Sequence, residues 1–274
     1  MTAKKAWHYM EWDDEKANRF WDFATSWEAW QKDYFSKQVG AGIIGFLRQA
    51  GHLNGRILDY GCGPGYLVEE LLKRGVPCEA IDSSPESVQM INQKLGHNPL
   101  WGGAKIFNGE RLPYDDNSVE AITCVETIEH VLPFRIAALL RELHRILKPK
   151  RGWLFITAPN AENLEENSVY CPECGSIFHK YQHISTFTVE KLQSLLKAHS
   201  LTARICSATD FRRFQQPWLI PPIDWSPRYL GSLIVKSWAA LLDRIYFPSD
   251  PMRGRLLQRY IGQGPHLFWL GGKE

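Results

Sequence analysis

The sequence predicts a doubly wound α/β fold, a parallel sheet with helices on both faces. Three observations carry this reading. Short apolar runs alternate with stretches of helical periodicity from residue 56 to residue 208. A glycine-rich loop, Gly61-Cys62-Gly63-Pro64-Gly65, stands between the first run and the first helical stretch. An acidic residue, Asp82, closes the second run. In such sheets ligands bind at the carboxyl ends of the strands, where these residues fall.

The elements follow in order. Residues 56–60 form an apolar run that stops at glycines, which suits a buried strand. Residues 66–73 place Leu67, Leu71 and Leu72 at helical spacing, and residues 78–81 are a second strand. Ser84 then caps a helix, with Pro85 in its first position. Residues 105–107 and 119–125 read as the third and fourth strands. A long helix over 134–147 is stopped by Pro149, and a fifth strand over 153–158 by Pro159. Thr188 is a plausible cap for a helix over 189–198, and the sixth and seventh strands are residues 201–207 and 266–271.

Composition narrows the function classes. Of 274 residues, 44% are hydrophobic and 23% charged, as in an ordinary globular protein. Lys and Arg number 32 against 30 Asp and Glu, a net charge of +2. That excludes a strongly basic nucleic-acid binder and an acidic-tail protein, but not a local basic patch. Six cysteines are too few for a disulfide scaffold. Residues 1–14 lack the apolar core of a signal peptide, and no window of 18 residues is free of charge, so no membrane-spanning helix is expected. A reducing, cytoplasmic setting is the expectation.

Glycines between a strand and a helix let the backbone turn tightly and approach a ligand closely. The spacing here is G-x-G-x-G, not the G-x-G-x-x-G of dinucleotide-binding folds. Asp82 can accept both hydroxyls of a ribose. Together with Leu112-Pro113-Tyr114-Asp115-Asp116-Asn117-Ser118, Glu129-His130-Val131 and Arg145-Ile146-Leu147-Lys148-Pro149, these motifs resemble the class I S-adenosylmethionine-dependent methyltransferases over about residues 40–208 and the last ten. The resemblance implies a seven-stranded Rossmann-like sheet, mostly parallel, with an antiparallel last strand and helical lid insertions. It implies S-adenosyl-L-methionine as cofactor. The cofactor-binding set it implies is Asp59, Gly61, Cys62, Gly63, Gly65, Asp82, Ser83, Asn108 and Gly109. Gly61 and Gly63 would face the methionine part, Asp82 the ribose and Ser83 the adenine. Asn108 stands where the family usually has Asp, and its side-chain oxygen can still accept a hydrogen bond.

Glu126-Thr127-Ile128-Glu129-His130 follows the fourth strand. If this turn is helical, positions i, i+3 and i+4 share one face, so Glu126, Glu129 and His130 converge as catalytic residues. Carboxylate and imidazole ligands suit divalent ions such as magnesium or manganese. The alternative is that Glu129 and His130 only shape the cofactor pocket. The E-x-x-E-H pattern resembles the ubiquinone-biosynthesis O-methyltransferases and the small-RNA 2'-O-methyltransferases. That resemblance adds His183 as a fourth metal ligand. A second constellation overlaps it. Cys171, Cys174 and His179 have spacing compatible with zinc, completed by one further ligand, although the chain has no second C-x-x-C. An exposed thiol pair and a redox dithiol are the other readings.

Residues 1–50 are expected to form an aromatic-rich helical cap, with Trp7, Trp12, Trp21, Trp27 and Trp30. Residues 51–208 and 265–274 form the core, interrupted by a Cys/His loop at 160–183, and residues 209–264 form a helical lid. Within that lid, 229–247 are amphipathic, which leaves lid, packing and membrane-surface roles open. Three functions stand. The first is methylation, foremost O-methylation, of a small-molecule, lipid or sugar-containing acceptor. The second is RNA-directed 2'-O-methylation, disfavoured because basic residues are scattered. The third is a non-catalytic cofactor-binding or scaffold protein.

Overall fold

Strand β1 (His8–Tyr9) leads into helix α1 (Asp14–Ser26). Asp13 caps α1 by accepting the Lys16 amide at 2.8 Å, and Asp14 and Glu15 complement the positive end of the helix. Helix α2 (Phe35–Gln49) precedes the alternating core. The core runs β2 (Ile57–Tyr60), α3 (Tyr66–Lys73), β3 (Cys78–Asp82), α4 (Pro85–Leu95), β4 (Trp101–Ile106), β5 (Ala121–Val125), α5 (Pro133–Ile146) and β6 (Trp153–Pro159). Then come two short strands, β7 (Ser168–Tyr170) and β8 (Ser176–His179), followed by α6 (Val189–Ala198), β9 (Thr202–Thr209) and β10 (His266–Gly272). This computed structural model describes residues 7–107, 111–215 and 261–274. Among the described residues no helix is long and apolar enough to cross a membrane.

Seven strands form one sheet in the order β4-β3-β2-β5-β6-β10-β9. All neighbours are parallel except β10, which runs antiparallel to both β6 and β9. The expected sheet, with its antiparallel last strand, is therefore present. Side chains alternate between two buried faces, as a doubly covered sheet requires. Phe155, Phe268 and Leu270 join the face packed by α2, α3 and α4, whereas Leu154, Ile156, Leu267 and Trp269 join the face packed by α5 and α6.

Both expected helix caps form: Ser84 accepts the Ser87 amide and Thr188 accepts the Lys191 amide. Two strands start two or more residues away from the sequence reading. β4 begins at Trp101 rather than residue 105, because Gly102 and Gly103 leave no apolar alternation to read and its pairing with β3 shifts register between Cys78 and Ala80. β5 begins at Ala121, while Val119 makes only an isolated bridge to Leu147. The stretch 160–183 is not simply a loop. It contributes β7 and β8 to a second sheet, order β1-β8-β7, in which β1 is parallel to β8. The amphipathic segment 229–247, and all of the expected lid between 216 and 260, lie outside the described residues.

Phe46 of α2 centres one face. Its ring lies 5.6 Å from Phe155, 5.8 Å from Phe211, 5.6 Å from Phe214 and 4.8 Å from Phe268, and it is fully buried. Phe46→Ala is expected to lower unfolding stability by about 3–5 kcal/mol, read as a shifted urea midpoint.

Candidate functional site

The carboxyl ends of β2, β3, β5 and β6 open into one cavity of about 630 Å³. At its β2 side the Gly61 amide donates to the Ile81 carbonyl at 2.8 Å. Gly61 adopts φ +76°, and a Cβ there would sit 2.3 Å from Thr127 Cγ2, so only glycine fits. Asp82 braces the loop. One of its oxygens accepts the Gly63 amide at 2.7 Å and the other the Ser84 amide at 2.9 Å. Burial pushes the Asp82 carboxyl up, and these amides only partly offset it. Tyr34 packs over the loop, its Cε1 3.2 Å from where a Gly63 Cβ would lie.

Gly61, Cys62, Gly63, Asp82 and Ser83 line the cavity. Asp59 and Gly65 do not. Asp59 lies beneath the loop, where Thr123 Oγ1 donates to it at 2.7 Å, and burial pushes its carboxyl up to about 7. Gly65 caps α3 at φ +85°, where a Cβ would meet Ile91 at 2.4 Å. Asn108 and Gly109 lie outside the described residues.

The opposite end of the cavity holds the E-x-x-E-H segment. The expected helical face is not formed. A 3-10 turn spans only Ile128–His130, and Glu126 precedes it with φ +46° and its amide bonded to Thr157 Oγ1. Glu126 lines the cavity, but its carboxylate does not join the ligand cluster. That cluster is Glu129, His130 and His183, with one ligand atom of each within 4.8 Å of the others. It forms because the Glu129 carbonyl accepts the amides of Ile184 at 2.9 Å and Ser185 at 3.1 Å, which brings His183 beside the turn.

The chemistry of this donor set fits a divalent ion. Both Glu129 carboxylate oxygens and Glu126 Oε1 are buried without a hydrogen-bond partner. Burial, then the neighbouring Glu126, pushes Glu129 well above the usual carboxylate range, and burial pushes Glu126 up to about 8. His130 Nδ1 lies 3.3 Å from the Gln182 carbonyl, which can only accept, so the ring proton sits on Nδ1 and Nε2 keeps its lone pair 3.8 Å from Glu129. Burial, with His183 and His179 nearby, holds His130 well below the usual imidazole range, hence neutral.

The zinc set expected on Cys171, Cys174 and His179 is not assembled. The cysteines form the β7–β8 turn, where Cys174 Sγ donates to Ser176 Oγ at 3.1 Å. Among the described residues no metal-competent group includes either thiol. His179, at the far end of β8, stacks on His183 with ring centroids 4.3 Å apart and sits 3.4 Å from Glu162.

Sequence reasoning missed Glu162 and Gln182. Glu162 lies just beyond the end of β6, a position where the strand-end rule could have found it. Gln182 is fully buried at φ +62° and had no sequence signal. Its side chain accepts from Trp21 Nε1 at 2.8 Å and donates to the His130 carbonyl at 3.3 Å, tying α1 to the site. Ser84 Oγ donates to Asp22 at 2.6 Å, and Arg135 Nε to Asp14 at 2.8 Å, so α1 is held across the cavity.

A glycine loop under a capping helix, with a strand-end acid opposite a Glu-His cluster, defines a class I S-adenosylmethionine-dependent methyltransferase architecture. Residues 36–204 match the family model described as a methyltransferase domain, and the chain belongs to that family. A ubiquinone biosynthesis O-methyltransferase of Xanthomonas oryzae is 34% identical over 106 residues, covering 38% of this chain and 43% of the relative. The match thus spans less than half of that relative. An uncharacterized methyltransferase of Mycobacterium tuberculosis is 33% identical over 94 residues, covering 34% of this chain and 36% of the relative. Solved structures show the same fold. A chain of the complex between the Haloferax volcanii Trm112 methyltransferase activator and a putative methyltransferase has TM-score 0.56 at 18% identity, covering 93% of this chain and 97% of its own. A Methanosarcina mazei S-adenosylmethionine-dependent methyltransferase has TM-score 0.51 at 17% identity, covering 83% and 96%.

The Asp59 carboxyl makes a pH prediction. Its folded pKa of about 7 lies above the ordinary 3.8, so the folded state holds the proton more tightly. The stability this contributes is present below about pH 4 and is lost as pH rises toward about 7. Asp59→Asn, always neutral and still able to accept from Thr123, is expected to raise the urea midpoint more at pH 8 than at pH 4.5. Equal gains at both would show that the carboxyl is not held protonated.

Proposed function

We propose that this chain transfers the methyl group of S-adenosylmethionine to an oxygen of a small-molecule, lipid or sugar-containing acceptor. The observation that carries this reading is the sharing of one cavity by the glycine loop with Asp82 and by His130 and His183, which cluster with the buried Glu129 behind its wall. The cofactor supplies an electrophilic methyl on a sulfonium. Gly61, Cys62 and Gly63 bring bare backbone to its methionine part, Asp82 accepts from its ribose, and Ser83 borders its adenine. Asp59 and Gly65 shape the loop from below. Residues 1–50 cap the core formed by 51–208 and 265–274.

Displacement at the methyl needs an aligned nucleophile, and an oxygen nucleophile must also lose its proton. Without an ion, His130, neutral with a free Nε2, can take that proton. Alternatively, Glu129, His130 and His183 would hold a divalent ion, His130 through that same lone pair, with Glu126 nearby. Such an ion supplies positive charge that makes a hydroxyl more acidic. Two neighbouring oxygens, as in a catechol or vicinal diol, suit this end of the cavity. Trp21, Trp30, Tyr34 and Tyr181 offer apolar walls for the rest of the acceptor. Asp14, Asp33, Glu126 and Glu162 also line the cavity, which opposes a polyanionic acceptor such as RNA. The similarity to a ubiquinone biosynthesis O-methyltransferase supports oxygen as the acceptor atom.

Calorimetry with S-adenosylmethionine comes first. Asp82→Ala is expected to weaken binding roughly tenfold to a hundredfold, since hydrogen bonds to a charged group are lost. No binding by the wild-type protein would overturn the reading. Turnover is then followed as S-adenosylhomocysteine release on a panel of catechols and vicinal diols. Glu129→Gln is expected to lower kcat by roughly 10²–10⁴-fold, and EDTA to suppress turnover until magnesium or manganese is returned. Turnover indifferent to both would remove the metal from the reading and leave methyl transfer standing.

A further inference from the structure

Glu162, on the cavity wall, has imidazoles on both carboxylate oxygens. Oε2 is in short contact with His183 Nδ1, and Oε1 lies 3.4 Å from His179 Nε2. The tautomers of both rings follow from their partners. His179 Nδ1 accepts the backbone amides of His183 at 3.2 Å and Tyr181 at 3.4 Å. Backbone N–H groups only donate, so the neutral His179 ring keeps its proton on Nε2, which is 4% exposed as a residue and faces Glu162. An ionised carboxylate accepts only, so His183 keeps its proton on Nδ1. Glu162, His179 and His183 also lie within 4.8 Å of one another, a second grouping of possible ligands. The nitrogen that His179 turns toward Glu162 carries a proton, not a lone pair.

We propose that Glu162 is a positioning residue: lying between His179 and His183, it locks His183 in the Nδ1–H tautomer and so leaves the His183 Nε2 lone pair for the acceptor end of the cavity. A carboxylate behind a histidine is a general means of fixing the tautomer of a ligand or a base. The consequence for catalysis rests on the methyl-transfer reading above, but the tautomer itself does not.

The variant that separates charge from shape is Glu162→Gln. An amide accepts on one atom and donates from the other. With its oxygen toward the His179 proton, its NH₂ meets His183 Nδ1, which must then accept, and the His183 proton moves to Nε2. Glu162→Asp keeps two accepting oxygens. The test is nitrogen NMR of ¹⁵N-histidine-labelled, EDTA-treated protein without cofactor or acceptor, with His183 assigned by its loss in His183→Gln. Wild type and Glu162→Asp are expected to show Nδ1–H at His183, and Glu162→Gln to show Nε2–H. With an acceptor in hand, Glu162→Gln should lower kcat roughly a hundredfold or more, as loss of a tautomer-fixing carboxylate does elsewhere, with Kd for S-adenosylmethionine unchanged. Nε2–H at His183 in the wild type, or one tautomer shared by all three proteins, overturns the proposal. If Glu162→Gln does not fold, the wild-type tautomer alone decides. Calorimetry with S-adenosylmethionine tests methyl transfer separately, so the two failures are distinguishable.

Discussion

A carboxylate withdrawn from water must be paired, protonated or given a cation. This chain places Asp59, Asp82, Glu126, Glu129 and Glu162 at the carboxyl edge of one sheet, and the structure answers each differently. Asp59 takes a hydroxyl from Thr123 and is pushed toward protonation. Asp82 takes two backbone amides and in return braces the glycine loop. Glu162 takes two imidazoles. Glu129 takes nothing within the protein, and Glu126 leaves one oxygen bare. The carboxylates that find partners brace or orient their surroundings, and of these Asp82 also faces the cavity. The site that looks unfinished faces the cavity, where a cofactor-bound methyl and its acceptor would meet.

The same economy joins distant parts of the chain. Trp21 reaches Gln182 across 161 positions, and Gln182 reaches His130 across 52. Thr25 of α1 meets Ser87 of α4 at 2.8 Å in a buried contact. These bonds make α1 a wall of the cavity rather than an appendage. Two of the five tryptophans in the first thirty residues line that cavity. Trp21 sets its ring 4.7 Å from His130, and Trp30 sets its ring 5.9 Å from Tyr181. An indole offers a large apolar face together with one donor, so it can both close a cavity and tie a loop.

Two expectations failed for the same reason. Residue spacing predicts convergence only where the local structure is regular. Glu126, Glu129 and His130 would share a helical face only if the turn began at Glu126, but Glu126 sits in the left-handed region and the turn begins two residues later. Cys171, Cys174 and His179 would surround an ion only if residues 171–179 folded back as a loop. Instead β8 runs straight between them and carries His179 to Glu162. Strand geometry separates residues by more than 3 Å each, so four strand positions are enough to part the thiols from the imidazole.

What the sequence determined by itself is whatever rests on local chemistry. Apolar residues at helical spacing placed α3 and α6 at their observed limits, Ser84 and Thr188 marked the caps of α4 and α6, and Gly61, Gly63 and Asp82 announced the loop and its brace. His183 and His130 were named from motifs, and they do stand together. What the tertiary structure alone decided is which atoms those side chains present. Glu162, His179 and Gln182 settle the protons of His183 and His130 through contacts between β6, the segment after β8 and the 3-10 turn. No spacing rule encodes them, because a tautomer depends on whether the neighbour in space donates or accepts, and that neighbour is chosen by the packing of the whole sheet.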